Sequence, residues 1–144
     1  MSSNASDPEN GSRRFDVELF VTHPTLGHGD ISKMLDLECH FGHTAGEPRV
    51  TPNGTVLPGA HHDTRWRHST RYVVQDQWFG NQVKNFVESL KLRREALLRL
   101  SSSGGTTSLI VQFFCDGYLA DAITRDTLSA IVDLGLDLEI ECFV

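Results

Sequence analysis

Histidine is the residue type most able to do chemistry here. The chain has seven: His23, His28, His40, His43, His61, His62 and His68. Imidazole nitrogens bind zinc and other divalent metals, and they carry protons near neutral pH. Two groupings have ligand-type donors, Cys39-His40-x-x-His43 and His61-His62-Asp63. On a strand, side chains three residues apart point to opposite faces, so His40 and His43 suit a turn better as joint ligands. His61 and His62 are adjacent imidazoles in a Gly-rich stretch, which rarely close on one ion together. No HExxH or zinc-finger spacing is present. The expectation is no metal and no cofactor, with His40, His43, His61 and His62 as the weak candidates.

Nucleophilic chemistry has less support. There is no Gly-x-Ser-x-Gly elbow. Cys39, Cys115 and Cys142 fall in segments with strand character, where cysteine behaves as a small apolar residue. Only Cys39 has a histidine beside it, and on a strand that neighbour faces the other way. Gly27-His28-Gly29 and Gly104-Gly105 match no phosphate loop.

The third constellation suits recognition. Arg65, Trp66, Arg67, His68, Ser69 and Arg71 lie within seven residues. Arginine offers a planar fork for carboxylate or phosphate, tryptophan a flat apolar platform, serine a short hydroxyl. These six are the candidate ligand-binding residues. A packing role competes for Trp66, as an anchor between a sheet and a long helix.

Those side chains need elements to position them. Phe15, Val17, Leu19 and Val21 alternate with more polar neighbours, which predicts a strand. A short helix follows Asp30, with Ile31, Met34 and Leu35 on one side. A second strand is expected over about Glu38 to His43. Pro48, Pro52, Asn53-Gly54, Pro58 and Gly59 mark residues 44–64 as a long loop or ragged hairpin. Residues 65–74 read as a strand, with Trp66, His68, Tyr72 and Val74 on one face and the arginines on the other. Residues 81–100 form the longest helix, with Val83, Phe86, Val87, Leu90, Leu97 and Leu100 as its stripe and a break at Arg93-Arg94. Residues 107–115 form a strand. A helix over 125–134 follows, with Thr124 as its cap, Leu128, Ile131 and Val132 as its face and Gly135 beyond its end. A final strand alternates Leu136, Leu138, Ile140, Cys142 and Val144 with acids. The order predicts an α+β fold: a ferredoxin-like two-layer sandwich, helices on one face of a mostly antiparallel sheet. Residues 1–14 read as a disordered polar tail and residues 15–144 as a single domain.

The 144 residues carry a net charge of −6, with 39% hydrophobic residues. The charge is uneven: −4 over residues 1–59, +4 over 60–100 and −6 over 101–144. The basic middle holds the Trp66 strand and the long helix. Net acidity argues against a nucleic-acid binder. No apolar run suits a membrane span, and the N-terminus lacks a signal-peptide core. Three cysteines without a CxxC argue against a disulfide framework. The expected location is the cytoplasm.

The order of these features resembles an uncharacterised bacterial family catalogued as domain of unknown function 4279. The residues that carry the resemblance are Ile31 and Leu35, Thr44, Gly46-Glu47, Trp66 with Ser69, then Leu90, Leu97 and Leu100, and last Leu128, Leu134, Gly135 and Leu136. It covers residues 15–144. The Pro-rich stretch between Glu47 and Trp66 is longer than the family needs. The resemblance implies a small α+β domain in a bacterial cytosol and transfers no catalytic residue.

The expected function is a non-enzymatic binding or interaction domain of immunity or regulatory type. Its partner would be a protein, a small anionic ligand or a second copy paired through the last strand. The alternative is a small metal-dependent hydrolase or lyase using His61, His62 or His68.

Overall fold

A computed structural model describes residues 14–73, 79–114 and 118–143. The expectations for residues 1–13, Val74, Cys115 and Val144 lie outside these. The elements are β1 (Arg14–His23), α1 (His28–Leu35), β2 (Phe41–His43), β3 (Pro48–Val50), β4 (Val56–Ala60) and β5 (Thr64–Val73), then α2 (Phe79–Leu90), a 3₁₀ turn (Lys91–Arg93), α3 (Arg94–Ser102), β6 (Thr106–Phe114), α4 (Arg125–Asp133) and β7 (Asp137–Phe143). The class is α+β, with a five-stranded mixed sheet in the order β2-β5-β1-β6-β7 and a separate β3–β4 hairpin. Among the described residues, no helix is long and apolar enough to cross a membrane.

Period-two patterning sets the sheet. β1 is central and pairs antiparallel with β5 and β6 over nearly its full length. Phe15, Val17, Leu19 and Val21 are buried on one side with Trp66, Leu109 and Val111. The helices bury Ile31, Leu35, Val83, Phe86, Val87, Leu90, Leu97, Leu100 and Ile131 into the same cluster. The long helix breaks where its stripe falters: Lys91–Arg93 is a 3₁₀ turn. Arg93 then reaches across to cap α1, donating from Nε to Leu35 O at 2.7 Å and from Nη2 to Asp36 O at 3.2 Å.

Three expectations change. The second strand shrinks from Glu38–His43 to Phe41–His43. Before it, backbone and side chains share the contacts to β5: the His40 N–H donates to Arg67 O at 2.7 Å, His40 Nδ1 accepts the Ser69 N–H at 3.0 Å, and His68 Nδ1 donates to Glu38 O at 2.8 Å. Cys39 therefore sits in the connection before β2, half-buried. Of the two forms expected for residues 44–64, the structure has the ragged hairpin, with an irregularity between Pro48 and Val50. Gly54 takes φ +91° at its tip, the conformation that Asn-Gly turns favour.

The buried face of α4 is also rotated. Thr127 and Ile131 are buried, whereas Leu128 and Val132 face outward, Val132 being 75% exposed. The Thr124 cap is present, its hydroxyl accepting from Thr127 N at 3.4 Å. Thr127 occupies an inward position that a reading by hydrophobicity passes over.

Candidate functional site

The six recognition candidates divide by strand parity. Trp66 and His68 point toward the helices. Trp66 is fully buried, and its indole Nε1 donates to Ser32 Oγ at 2.9 Å. Its ring packs in the core and offers no surface platform. His68 stacks on His40, with ring centroids 4.6 Å apart. Arg65, Arg67, Ser69 and Arg71 belong to the opposite face.

On that face the arginines already have anions. Arg67 Nη1 donates to Glu18 Oε2 at 2.8 Å and its guanidinium lies 4.4 Å over the Phe20 ring. Arg71 Nε donates to Asp16 Oδ1 at 3.1 Å. Asp16 and Glu18 are themselves nearly buried on β1. Burial pushes the Glu18 carboxyl above the ordinary carboxylate range. Arg67 pulls the other way, and Glu141 and Asp16 add to the rise. In the basic middle, Arg94 pairs with Asp133 and Lys91 with Glu88. The positive stretch read from the sequence is largely answered within the fold.

Arg65 is placed differently, at the end of β5 beside the hairpin. It shares a pocket of about 420 Å³ with His43, Arg49, Ala60, His61, His62 and Asp63. Three segments build this pocket. β2 brings His43 opposite Arg65. The hairpin brings Arg49 and returns His61, whose backbone N–H donates to Glu47 O while its carbonyl accepts from Gly46 N. Thr44 and Thr64 fix the joint: Thr44 Oγ1 accepts from His28 N at 3.1 Å and lies 2.6 Å from His28 Nδ1, and Thr64 Oγ1 accepts from Ala45 N at 2.9 Å. Gly42 lets β2 approach β5, because a Cβ there would sit 2.6 Å from Arg65 O and 2.7 Å from Cys39 Sγ.

Within the pocket His43 and His61 stack face to face, centroids 3.6 Å apart and planes 8° apart. Asp63 Oδ1 lies 3.9 Å from His43 Nε2 and 3.5 Å from Arg65 Nε. Burial, the facing His61 and the Arg65 charge hold His43 below the ordinary imidazole value, with Asp63 opposing.

A metal-bound nitrogen places the ion near its own ring plane. Parallel planes at stacking distance do not meet at one ion, so His43 and His61 as placed cannot chelate together. His40 is in the other stack, its Nδ1 occupied by the Ser69 N–H. Among the described residues no group of three His, Cys, Asp or Glu could hold a metal ion. His23 is structural: its Nδ1 accepts from Thr25 N and Leu26 N, and its Nε2 meets Ser103 Oγ at 2.9 Å.

A second pocket, about 390 Å³, lies between α1 and α3, lined in part by Met34, Asp36, Arg93 and Glu95. Its central cation, Arg93, is committed to the carbonyls of Leu35, Asp36 and Ser89. Arg49 is the pocket residue that sequence reading missed. It lies 16 positions before Arg65 in a Pro-rich stretch, and only the hairpin's return brings the two together.

No protein-family model matches the chain, and no curated protein or solved structure is significantly similar to it.

Proposed function

We propose that this chain is a non-enzymatic binding module that holds a small anionic ligand between the β3–β4 hairpin and the β2–β5 edge. One observation carries the reading. Arg49, Arg65 and three imidazoles surround the single carboxylate of Asp63 in an open pocket of about 420 Å³. That volume suits a phosphate ester or a polycarboxylate, being within the roughly 300–1,000 Å³ of ordinary ligand sites. Guanidinium forks supply paired donors to either group. The other arginines of β5 favour the same choice, since Arg67 and Arg71 are engaged by Glu18 and Asp16.

The fold reading belongs with this proposal. β1-α1-β2 and β5-α2/α3-β6 interleave as two split β-α-β units, and α4-β7 adds a strand at the β6 edge. On that basis we read the core as ferredoxin-like, with the hairpin inserted between the second and third core strands. The insertion is the Pro-rich stretch noted above, and it is the part that makes the pocket.

The test is a sulfate titration at pH 6.5, followed by amide chemical shifts. Shifts are expected at residues 43–65, and Arg49→Gln and Arg65→Gln are each expected to weaken binding about tenfold, the loss of a charge-assisted hydrogen bond. Shifts confined to other regions, or no shifts, refute the reading.

A further inference from the structure

We infer that the pocket is proton-linked: the stacked His43 and His61 take up a proton when the anion binds, so affinity rises as pH falls. This rests on the reading of the pocket as an anion site.

The argument is geometric. Two imidazoles lie face to face, 3.6 Å apart with planes 8° apart. A proton entering the His43 ring is held close to the facing His61 and to the fixed charge of Arg65. Arg65 comes from β5, and Arg49 from β3 lines the same pocket. His62 follows on the hairpin side. Asp63, from the β4–β5 connection, is the one carboxylate facing His43, and it is shared with Arg65. The remaining ionisable groups of the surrounding segments are Glu47, which accepts the His61 N–H through its backbone carbonyl, and His28, bonded to Thr44 next to His43. One carboxylate among these cations cannot answer a further positive charge. Burial of His43 adds to the same resistance. An anion in the pocket reverses the balance, since it faces both arginines and the ring edges. Proton and anion then bind cooperatively, and each strengthens the other by the same factor.

The stack is also the part of the pocket most able to respond to pH. Arginine keeps its charge at any physiological pH. A pocket of Arg49 and Arg65 alone would bind a fixed-charge anion with the same affinity at pH 5.5 and 7.5.

Sulfate is the probe, because its own charge is constant across this range. The His43 ring is titrated by its Cε1–H resonance in chloride and in sulfate at equal ionic strength. Sulfate is expected to raise the His43 midpoint by about one pH unit, and sulfate affinity is expected to increase by the matching factor, about tenfold in total, between pH 7.5 and 5.5. In Arg49→Gln the sulfate effect on the midpoint should shrink. In His61→Gln, a substitution just past β4 that removes one ring of the stack, the pH dependence of affinity should shrink. Sulfate that binds at residues 43–65 while the His43 midpoint stays fixed overturns the proton linkage and leaves the anion site standing. Sulfate that fails to bind at any pH overturns both.

Discussion

At the residue scale, the same strand holds both a structural anchor and a site residue, and parity separates them. Trp66 faces the helices and bonds Ser32, while Arg65, one position earlier, faces the pocket. Trp66→Ala should destabilise the chain by about 3–5 kcal/mol. Ser32→Ala, which removes only the acceptor of the indole N–H, should cost about 1 kcal/mol. Urea denaturation distinguishes them, and an unchanged midpoint for Trp66→Ala would remove the ring from the core. The Glu18–Arg67 pair has a different energetic signature. Arg67→Leu leaves a nearly buried carboxylate without its donor and should cost about 2–3 kcal/mol. The double substitution Glu18→Leu with Arg67→Leu should cost less than Arg67→Leu alone, because both charges leave together. A double variant less stable than the single one would show that the pair is a net stabiliser.

At the scale of elements, β2 is the hinge between the sheet and the hairpin. It is three residues long, and histidine side chains supply contacts on both sides of it. Gly42→Ala should displace β2 from β5, with line broadening in residues 40–65 and little change in β1 or β6. A sharp, unshifted spectrum would show that the edge absorbs the methyl group. The hairpin should also carry a pH dependence. His43 in the folded chain titrates below the ordinary value of 6.5, so the unfolded chain binds the proton first. Its contribution to stability is present above pH 6.5 and is lost as pH falls through the folded midpoint. Hydrogen exchange in residues 44–63 should therefore quicken between pH 7 and 5 relative to β1, after correction for intrinsic rates. Equal protection of hairpin and β1 at both pH values would contradict this.

At the scale of the whole molecule, Arg67 and Arg71 are answered within an acidic fold, while Arg49 and Arg65 line the hairpin pocket. β1 supplies Asp16 and Glu18 to the β5 arginines, and β7 places Asp137, Glu139 and Glu141 along the far edge. Pairing two β7 strands antiparallel about a two-fold would bring these acids together across the joint. That disfavours a homodimer through the last strand, despite the 57% exposure of Ile140 there. Light scattering should give one mass from low to high micromolar concentration, and a dimer that persists in Ile140→Glu would need another interface. The outward side of α4 should be equally tolerant: Val132→Ser is expected within about 0.5 kcal/mol of the parent, whereas Ile131→Ala should cost about 2–5 kcal/mol.

Local order was legible from residues alone wherever one face is buried. The alternation in Phe15–Val21, the stripe from Val83 to Leu100 with its break at Arg93, and the Thr124 cap all follow from short-range periodicity and hydrogen-bonding capacity. Parity also separated Trp66 from the arginines in advance. What it left open was who answers each charge. Glu18 and Arg67 are 49 positions apart, and nothing short-range links them. The side-chain contacts of His40 and His68 before β2 likewise join residues far apart in the chain. The pocket is the extreme case. His43, Arg49, His61 and Arg65 come from β2, the hairpin and β5, and their meeting depends on the hairpin folding back onto the β2 edge. Sequence determined the faces of the elements because those arise from neighbours a few residues apart. Tertiary structure decided the site, because an electrostatic field is summed over distance in space and ignores distance along the chain.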